Sequence, residues 1–227
     1  MGKTKIEWVK NQDGTQGYTL NPVKGKCPVA CSYCYARRMY DRFKWDPEIR
    51  YIPIAGEVAA IKKPSRIFVG STMELFGQWI PAPWLSAVFS CVRQNPQHTF
   101  IFLTKRPQNL AKWSPFPENC WVGASVTNAN QLSAAYTGLH RALEATVKFI
   151  SHEPLLDNIV MEPQFLLDAG ISWVVCGQQT PVKPATMPKI EWIKEIVEAA
   201  DKAGVPVFEK NNLASLLKRP LRQEFPE

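Results

Sequence analysis

The chain has 227 residues, of which 45% are apolar, 21% charged and 11% aromatic, enough for one sizeable core and too few for two ordinary domains. Its 19 prolines and 12 glycines are scattered, which excludes a collagen-like or disordered polymer, and no apolar run approaches the roughly 18 residues that span a bilayer. The formal charge of +7 lies wholly in residues 1–67, where 13 Lys/Arg face 6 Asp/Glu, while residues 68–227 balance at 14 against 14.

One domain over residues 1–227 is expected, with an N-terminal extension at 1–17 and a loose C-terminal tail at 220–227. The charged start Met1 to Glu7 lacks the apolar centre of a signal peptide, which predicts a cytoplasmic chain. A first strand is expected at Tyr18 to Asn21. The loop after it, Gly25 to Tyr35, carries Cys27, Cys31 and Cys34. An aromatic-laced basic stretch follows: Arg37, Arg38, Tyr40, Arg42, Phe43, Lys44, Trp45, Arg50 and Tyr51. Cations neutralise phosphates and rings stack on bases, so this composition suits nucleic acid; a solvated helix face with inward rings is the plain alternative.

Six further short runs rich in β-branched and aromatic residues read as strands: Arg66 to Ser71, Thr99 to Thr104, Cys120 to Ser125, Val147 to Ser151, Ser172 to Gly177 and Val205 to Lys210. Helical periodicity fills three of the gaps, at Ala82 to Gln94, Asn128 to Ala145 and Pro188 to Ala203. Alternating strands and helices imply an α/β protein with a parallel sheet. We expect a partial or complete (β/α) TIM-like barrel of about six to seven parallel strands, with an open doubly wound sheet as runner-up. In either fold the working face lies at the carboxyl ends of the strands. Those ends carry Asn21, Ser71, Thr72, Glu74, Lys105, Ser125, Glu153, Gln178 and Lys210. Ser, Thr and Asn cap helices routinely, but caps do not require Lys105, Glu153 or Lys210.

The cysteines divide in the same way. Cys91, Cys120 and Cys176 are isolated in apolar segments and read as core thiols. Cys27, Cys31 and Cys34 form C-x3-C-x2-C and read as metal ligands in a reducing compartment. Three thiolates are one fewer than a closed zinc site or an ordinary iron-sulfur cluster takes. A 4Fe-4S cube held by three thiolates would keep one iron open to a small chelating molecule. Zinc with a distant fourth ligand such as His152 is the minority reading, and redox use of Cys31 and Cys34 ranks lower.

The loop Cys27, Cys31, Tyr33, Cys34, following the first strand of an expected barrel, resembles the signature of radical S-adenosylmethionine (SAM) enzymes. The whole chain is similar to phage-associated radical SAM proteins grouped as a domain of unknown function. The similarity runs through Thr4 to Trp8, Asn21 to Val23, Ile67 to Phe76, His98 to Pro107, Trp121 to Gly123 with Ser125 and Val126, Glu153 to Leu156, and Ala203 to Pro206. The chain departs from that family in the closer spacing of its first two cysteines. It also has Gly177-Gln178-Gln179-Thr180 where a Gly-Gly-Glu-Ser-like strand end is frequent.

The resemblance implies two cofactors, a 4Fe-4S cluster and S-adenosyl-L-methionine, and an external one-electron reductant. It implies that Cys27, Cys31 and Cys34 ligate iron. Tyr33 matches the aromatic position beside the adenine of SAM. Ser71, Thr72 and Glu74 match the strand end that grips the methionine amino group, and Lys105 and Ser125 would meet the SAM carboxylate or ribose. Glu153, Gln178 and Lys210 would face the substrate, with Cys176 a weaker candidate for returning a hydrogen atom to a product radical. The leading expectation is reductive cleavage of SAM to a 5'-deoxyadenosyl radical that abstracts hydrogen from a nucleic-acid base, in DNA modification or repair. The alternatives are the same chemistry on a small metabolite, and a non-catalytic zinc-stabilised nucleic-acid-binding module. A partner protein is left open, and no membrane association is expected.

Overall fold

The computed structural model describes residues 1–140 and 143–226 of the chain, which divides into two compact units, Met1–Thr104 with Pro117–Cys120 and Lys105–Phe116 with Trp121–Glu227. Both are α/β, and their main strands are mostly parallel.

In chain order the first unit contains β1 (Gly2–Lys3), β2 (Tyr18–Leu20), β3 (Val23–Lys24), α1 (Tyr35–Phe43), β4 (Arg50–Tyr51), α2 (Ala55–Ala59), β5 (Arg66–Val69), α3 (Ala82–Arg93) and β6 (Thr99–Thr104). Its sheet runs β1-β2-β5-β6: β2, β5 and β6 are parallel, and β1 pairs antiparallel with β2. The register aligns Leu20, Val69 and Phe102, so these side chains share one face. Phe102 there meets Phe89 of α3 at 5.3 Å between ring centroids. On the other face Trp8 packs edge-on against Phe68 at 4.9 Å. Trp8 and Val9 are buried, so the extension at 1–17 belongs to the core of this unit. The α3 stripe Leu85, Val88, Phe89 and Val92 is buried as the periodicity predicts. β3 and β4 form a separate antiparallel pair, too short for sequence periodicity to reveal.

The second unit contains β7 (Cys120–Ser125, beginning at the unit boundary), α4 (Leu132–Leu139), β8 (Val147–His152), α5 (Pro163–Ala169), β9 (Trp173–Cys176), α6 (Ile190–Lys202), β10 (Val207–Glu209) and α7 (Ala214–Leu217). Strands β7, β8, β9 and β10 lie side by side and parallel in that order. The expected strand at Cys120 to Ser125 has its expected bounds. The expected helix from Asn128 is instead a 3-10 turn at Ala129–Gln131 followed by α4, and its stretch at 141–142 lies outside the described residues. Buried Lys148 of β8 explains the stop at Leu139: its Nζ donates to the carbonyls of Leu139 and His140 at 3.1 and 3.3 Å, satisfying the open end of α4. Gly138 lets α4 approach the 3-10 segment Pro107–Trp113, since a Cβ there would sit 2.4 Å from the Pro107 backbone.

The tail is not loose. Arg222 to Glu224 run along β10, with Glu209 N donating to Arg222 O at 2.7 Å and Glu224 N to Val207 O at 3.1 Å. Phe225 stacks on Trp173 at 5.6 Å, and Trp173 Nε1 donates to Glu224 O at 2.8 Å. The polar letters Arg222, Gln223 and Glu224 hid this segment from a hydrophobic-pattern reading, because backbone bonds, one ring and the ion pairs of Arg222 with Asp201 and Glu224 hold it.

Candidate functional site

In the first unit, β2 delivers the chain into the loop that carries Cys27, Cys31 and Cys34. None of the three is in a disulfide, and each is partly exposed. The loop is folded back on itself: Arg37 Nη1 donates to Cys27 O at 3.1 Å and Cys34 N to Cys31 O at 3.1 Å. Cys34 is also the N-cap of α1, its sulfur accepting from Arg37 N at 3.4 Å. Burial pushes the Cys27 thiol up, and the charges of Glu74 and Cys31 push the same way, while the N–H groups of Glu74 and Val29 donate to its sulfur and oppose the rise.

Those contacts join the loop to the carboxyl end of β5. Buried Glu74 accepts the Thr104 hydroxyl at 2.6 Å and the Phe76 N–H at 3.0 Å on Oε1. Asn21, at the end of β2, accepts from the Ser71 hydroxyl at 3.2 Å and from Thr72 N at 3.1 Å. Tyr35, beside Cys34 in sequence, donates its hydroxyl to Ser71 O at 3.2 Å. The predicted residues Cys27, Ser71, Thr72 and Glu74 therefore lie in one bonded neighbourhood, to which Tyr35 and Thr104 are additions that spacing could not reveal. Tyr33 is half-buried in the same loop.

Three thiols from one short loop, free of disulfides, are the donor chemistry of a thiolate-bound metal or cluster. Among the described residues no group of three His, Cys, Asp or Glu side chains is gathered around one point as a metal site, and the Cys34 sulfur serves as a helix cap. The residues fit a cluster by donor type.

The second unit has its own polar strand ends. Lys105 Nζ donates to Ser125 Oγ at 3.0 Å. Glu153 and Lys210 form an ion pair, with side chains 19% and 14% exposed. Gln178 is tied to Asn212: Gln178 Nε2 donates to Asn212 O, and Asn212 Nδ2 donates to Gln178 O at 2.7 Å. Ser151 Oγ and Gln178 Oε1 are buried with no hydrogen-bond partner among the described residues, and so keep hydrogen-bonding capacity for a ligand.

Register separates Cys176 from this group. Ser125, Ser151 and Val175 align on one face, whereas His152, Cys176 and Glu209 align on the other, the face from which Lys148 reaches α4. There Arg219 binds the fully buried Glu209 through two hydrogen bonds of 2.6 and 2.8 Å. Burial pushes the Cys176 thiol far up, as it pushes Cys120 up to about 12. Cys91, Cys120 and Cys176 are all buried. His152 Nδ1 donates to Val126 O at 2.9 Å, its Nε2 has no hydrogen-bond partner among the described residues, and among those residues it joins no metal-ligand group.

No described helix is long and apolar enough to cross a membrane. A family model described as "Protein of unknown function (DUF5131)" matches residues 3–214. No curated protein matches the chain.

Proposed function

We propose that the chain, which belongs to the DUF5131 family, is a radical SAM enzyme that acts on a nucleic-acid base, in DNA modification or repair. Its cofactors in this reading are a 4Fe-4S cluster and S-adenosylmethionine, with an external one-electron reductant, and arrangement of the strands as a partial (β/α) barrel belongs to the same proposal. One observation carries it: three unbridged thiols crowd the loop after β2, and Tyr35, beside Cys34, ties that loop to the end of β5 through its hydroxyl on Ser71 O. When bound, the cluster supplies the electron that cleaves SAM to methionine and a 5'-deoxyadenosyl radical able to take hydrogen from an unactivated carbon.

The chain's own residues bind, orient and shield. Cys27, Cys31 and Cys34 would hold iron. Glu74, fixed by Thr104 and Phe76 N–H, offers its carboxylate to an ammonium group, while Asn21 sets the Ser71 and Thr72 positions. Tyr33 supplies a ring for the adenine. Lys105 with Ser125 offers an ammonium and a hydroxyl to an anionic group. Glu153, Gln178 and Lys210 are assigned to substrate, and Cys176 to the core.

Anaerobic reconstitution followed by iron and sulfide analysis tests the reading. The wild type should turn brown and, once reduced, yield 5'-deoxyadenosine from SAM, while Cys27→Ala, Cys31→Ala or Cys34→Ala should each abolish the chromophore. Incubation with deuterated DNA bases should move label into 5'-deoxyadenosine. A colourless protein holding zinc without iron would replace the enzyme with a zinc-stabilised binding module.

A further inference from the structure

The helix α1 buries only Ala36. Tyr35, Met39 and Phe43 stand four residues apart and so form one stripe along the helix, yet they are 50%, 36% and 52% exposed. Trp45, 47% exposed, extends the stripe. Lys44 takes the left-handed conformation at φ 53° and turns the chain so that Trp45 stacks on Phe43, with centroids 5.5 Å apart and planes 25° apart. Tyr40 supports Trp45 edge-on at 5.4 Å, and Arg42 lies over the Phe43 ring at 5.3 Å. The rings are thus held in position and open to solvent, against the usual direction of burial.

The charge around the stripe is positive. Residues 23–51 carry seven Lys/Arg and three Asp/Glu, with Lys26 engaged by Asp41 and Arg50 by Asp46. A second copy of the same face would bring like charges together. An anionic partner with flat, unpaired ring faces satisfies both features at once. Duplex nucleic acid supplies the phosphates but keeps its base faces stacked, whereas a single strand offers both.

We infer that the Tyr35–Met39–Phe43 stripe with Trp45 and Arg42 is a docking ridge for single-stranded nucleic acid, its bases stacking on Phe43 and Trp45 and its phosphates meeting the basic rim. Tyr35 ends the ridge beside Cys34, with its hydroxyl on Ser71 O, so a strand lying along it is led to the cysteine loop. The identity of that strand as substrate rests on the proposed function; the binding itself does not require the cluster.

Fluorescence anisotropy of a labelled 20-mer of deoxythymidine with the full chain tests this, beside a duplex of equal length and vesicles containing phosphatidylserine. We expect the single strand to bind more tightly than the duplex, and to weaken as salt rises from about 50 to about 200 mM. Phe43→Ala with Trp45→Ala should weaken binding roughly tenfold or more, and Arg42→Gln less, in proteins whose circular dichroism matches the wild type. The ridge is overturned if the wild type does not bind the single strand at low salt, if the ring variant binds as the wild type does, or if the duplex binds equally well. It is also overturned if the ring variant loses only self-association or only vesicle binding. Cys27→Ala with Cys31→Ala separates the two readings. If it retains oligonucleotide affinity while the wild type fails to cleave SAM, the enzyme reading alone falls; SAM cleavage without oligonucleotide binding removes the ridge alone.

Discussion

Glu153 and Lys210 close their ion pair over Gly177, and the missing side chain of that glycine is what leaves room: a Cβ there would lie 2.8 Å from Lys210 Cδ and 3.1 Å from Glu153 Cγ. Both side chains are mostly withdrawn from water, so the pair is costly to break on one side. Lys210→Met should destabilise the protein by about 2 kcal/mol in urea unfolding, below the range for a fully sealed pair because water still reaches the edges. Glu153→Gln added to Lys210→Met should restore most of the loss. Equal destabilisation by the single and double variants would show that the loss does not come from stranding the Glu153 charge.

Gly177→Ala tests the same packing without removing a charge. Displacing the Lys210 stem should cost roughly 1–3 kcal/mol, the range for overpacking a tight site. A crystal structure of that variant should show the ion pair parted.

His152 should make stability pH-dependent. Burial depresses its pKa to about 4 from an ordinary 6.5, against the smaller opposing effect of the Val126 carbonyl. Above the unfolded value both states are neutral and stability is full. As pH falls from 6.5 to about 4 the unfolded chain takes a proton that the folded one refuses, so stability declines, by about 3 kcal/mol at the lower limit. His152→Gln should flatten that part of the curve. His98, also lowered by burial, should leave a smaller residual slope.

Thr104→Val removes the hydroxyl that holds Glu74 Oε1 at 2.6 Å. If Glu74 grips the SAM ammonium, the variant should bind SAM roughly tenfold more weakly, as loss of one charge-assisted hydrogen bond implies, and retain its iron. Glu74→Gln should do the same more strongly. Unchanged SAM affinity in both would remove Glu74 from the site.

Phe225→Ala should lower stability by about 2 kcal/mol, less than a fully buried ring because Phe225 is half-exposed. The check is the urea midpoint, together with a change in the emission of Trp173, on which the ring stacks.

The legible parts of the chain were those where period and burial coincide. β7 is a wholly buried run, and α3 carries a complete apolar stripe, so both could be read with little error. α5 escaped because it has only seven residues, although Pro163 in its first turn and Gly170 at φ 66° after it are start and stop marks. The connection over Pro107–Trp113 is a 3-10 segment packed through Gly138, a tertiary contact that local pattern does not encode. At the site, the thiols declared themselves by crowding. The meeting of Glu153 with Lys210, 57 positions apart, came only from adjacent strand ends, as did the face that separates Cys176 from Ser151.

The terminal segment along β10 has a consequence for handling the protein. In the second unit β10 is the outermost of four parallel strands, and Arg222 and Glu224 occupy its outward amide and carbonyl groups. Trimming the last residues, or pulling on them with a bulky fusion, would expose a bare selvedge ready to template strand pairing between molecules. Clumping in shortened versions would then report a lost hem instead of a damaged core.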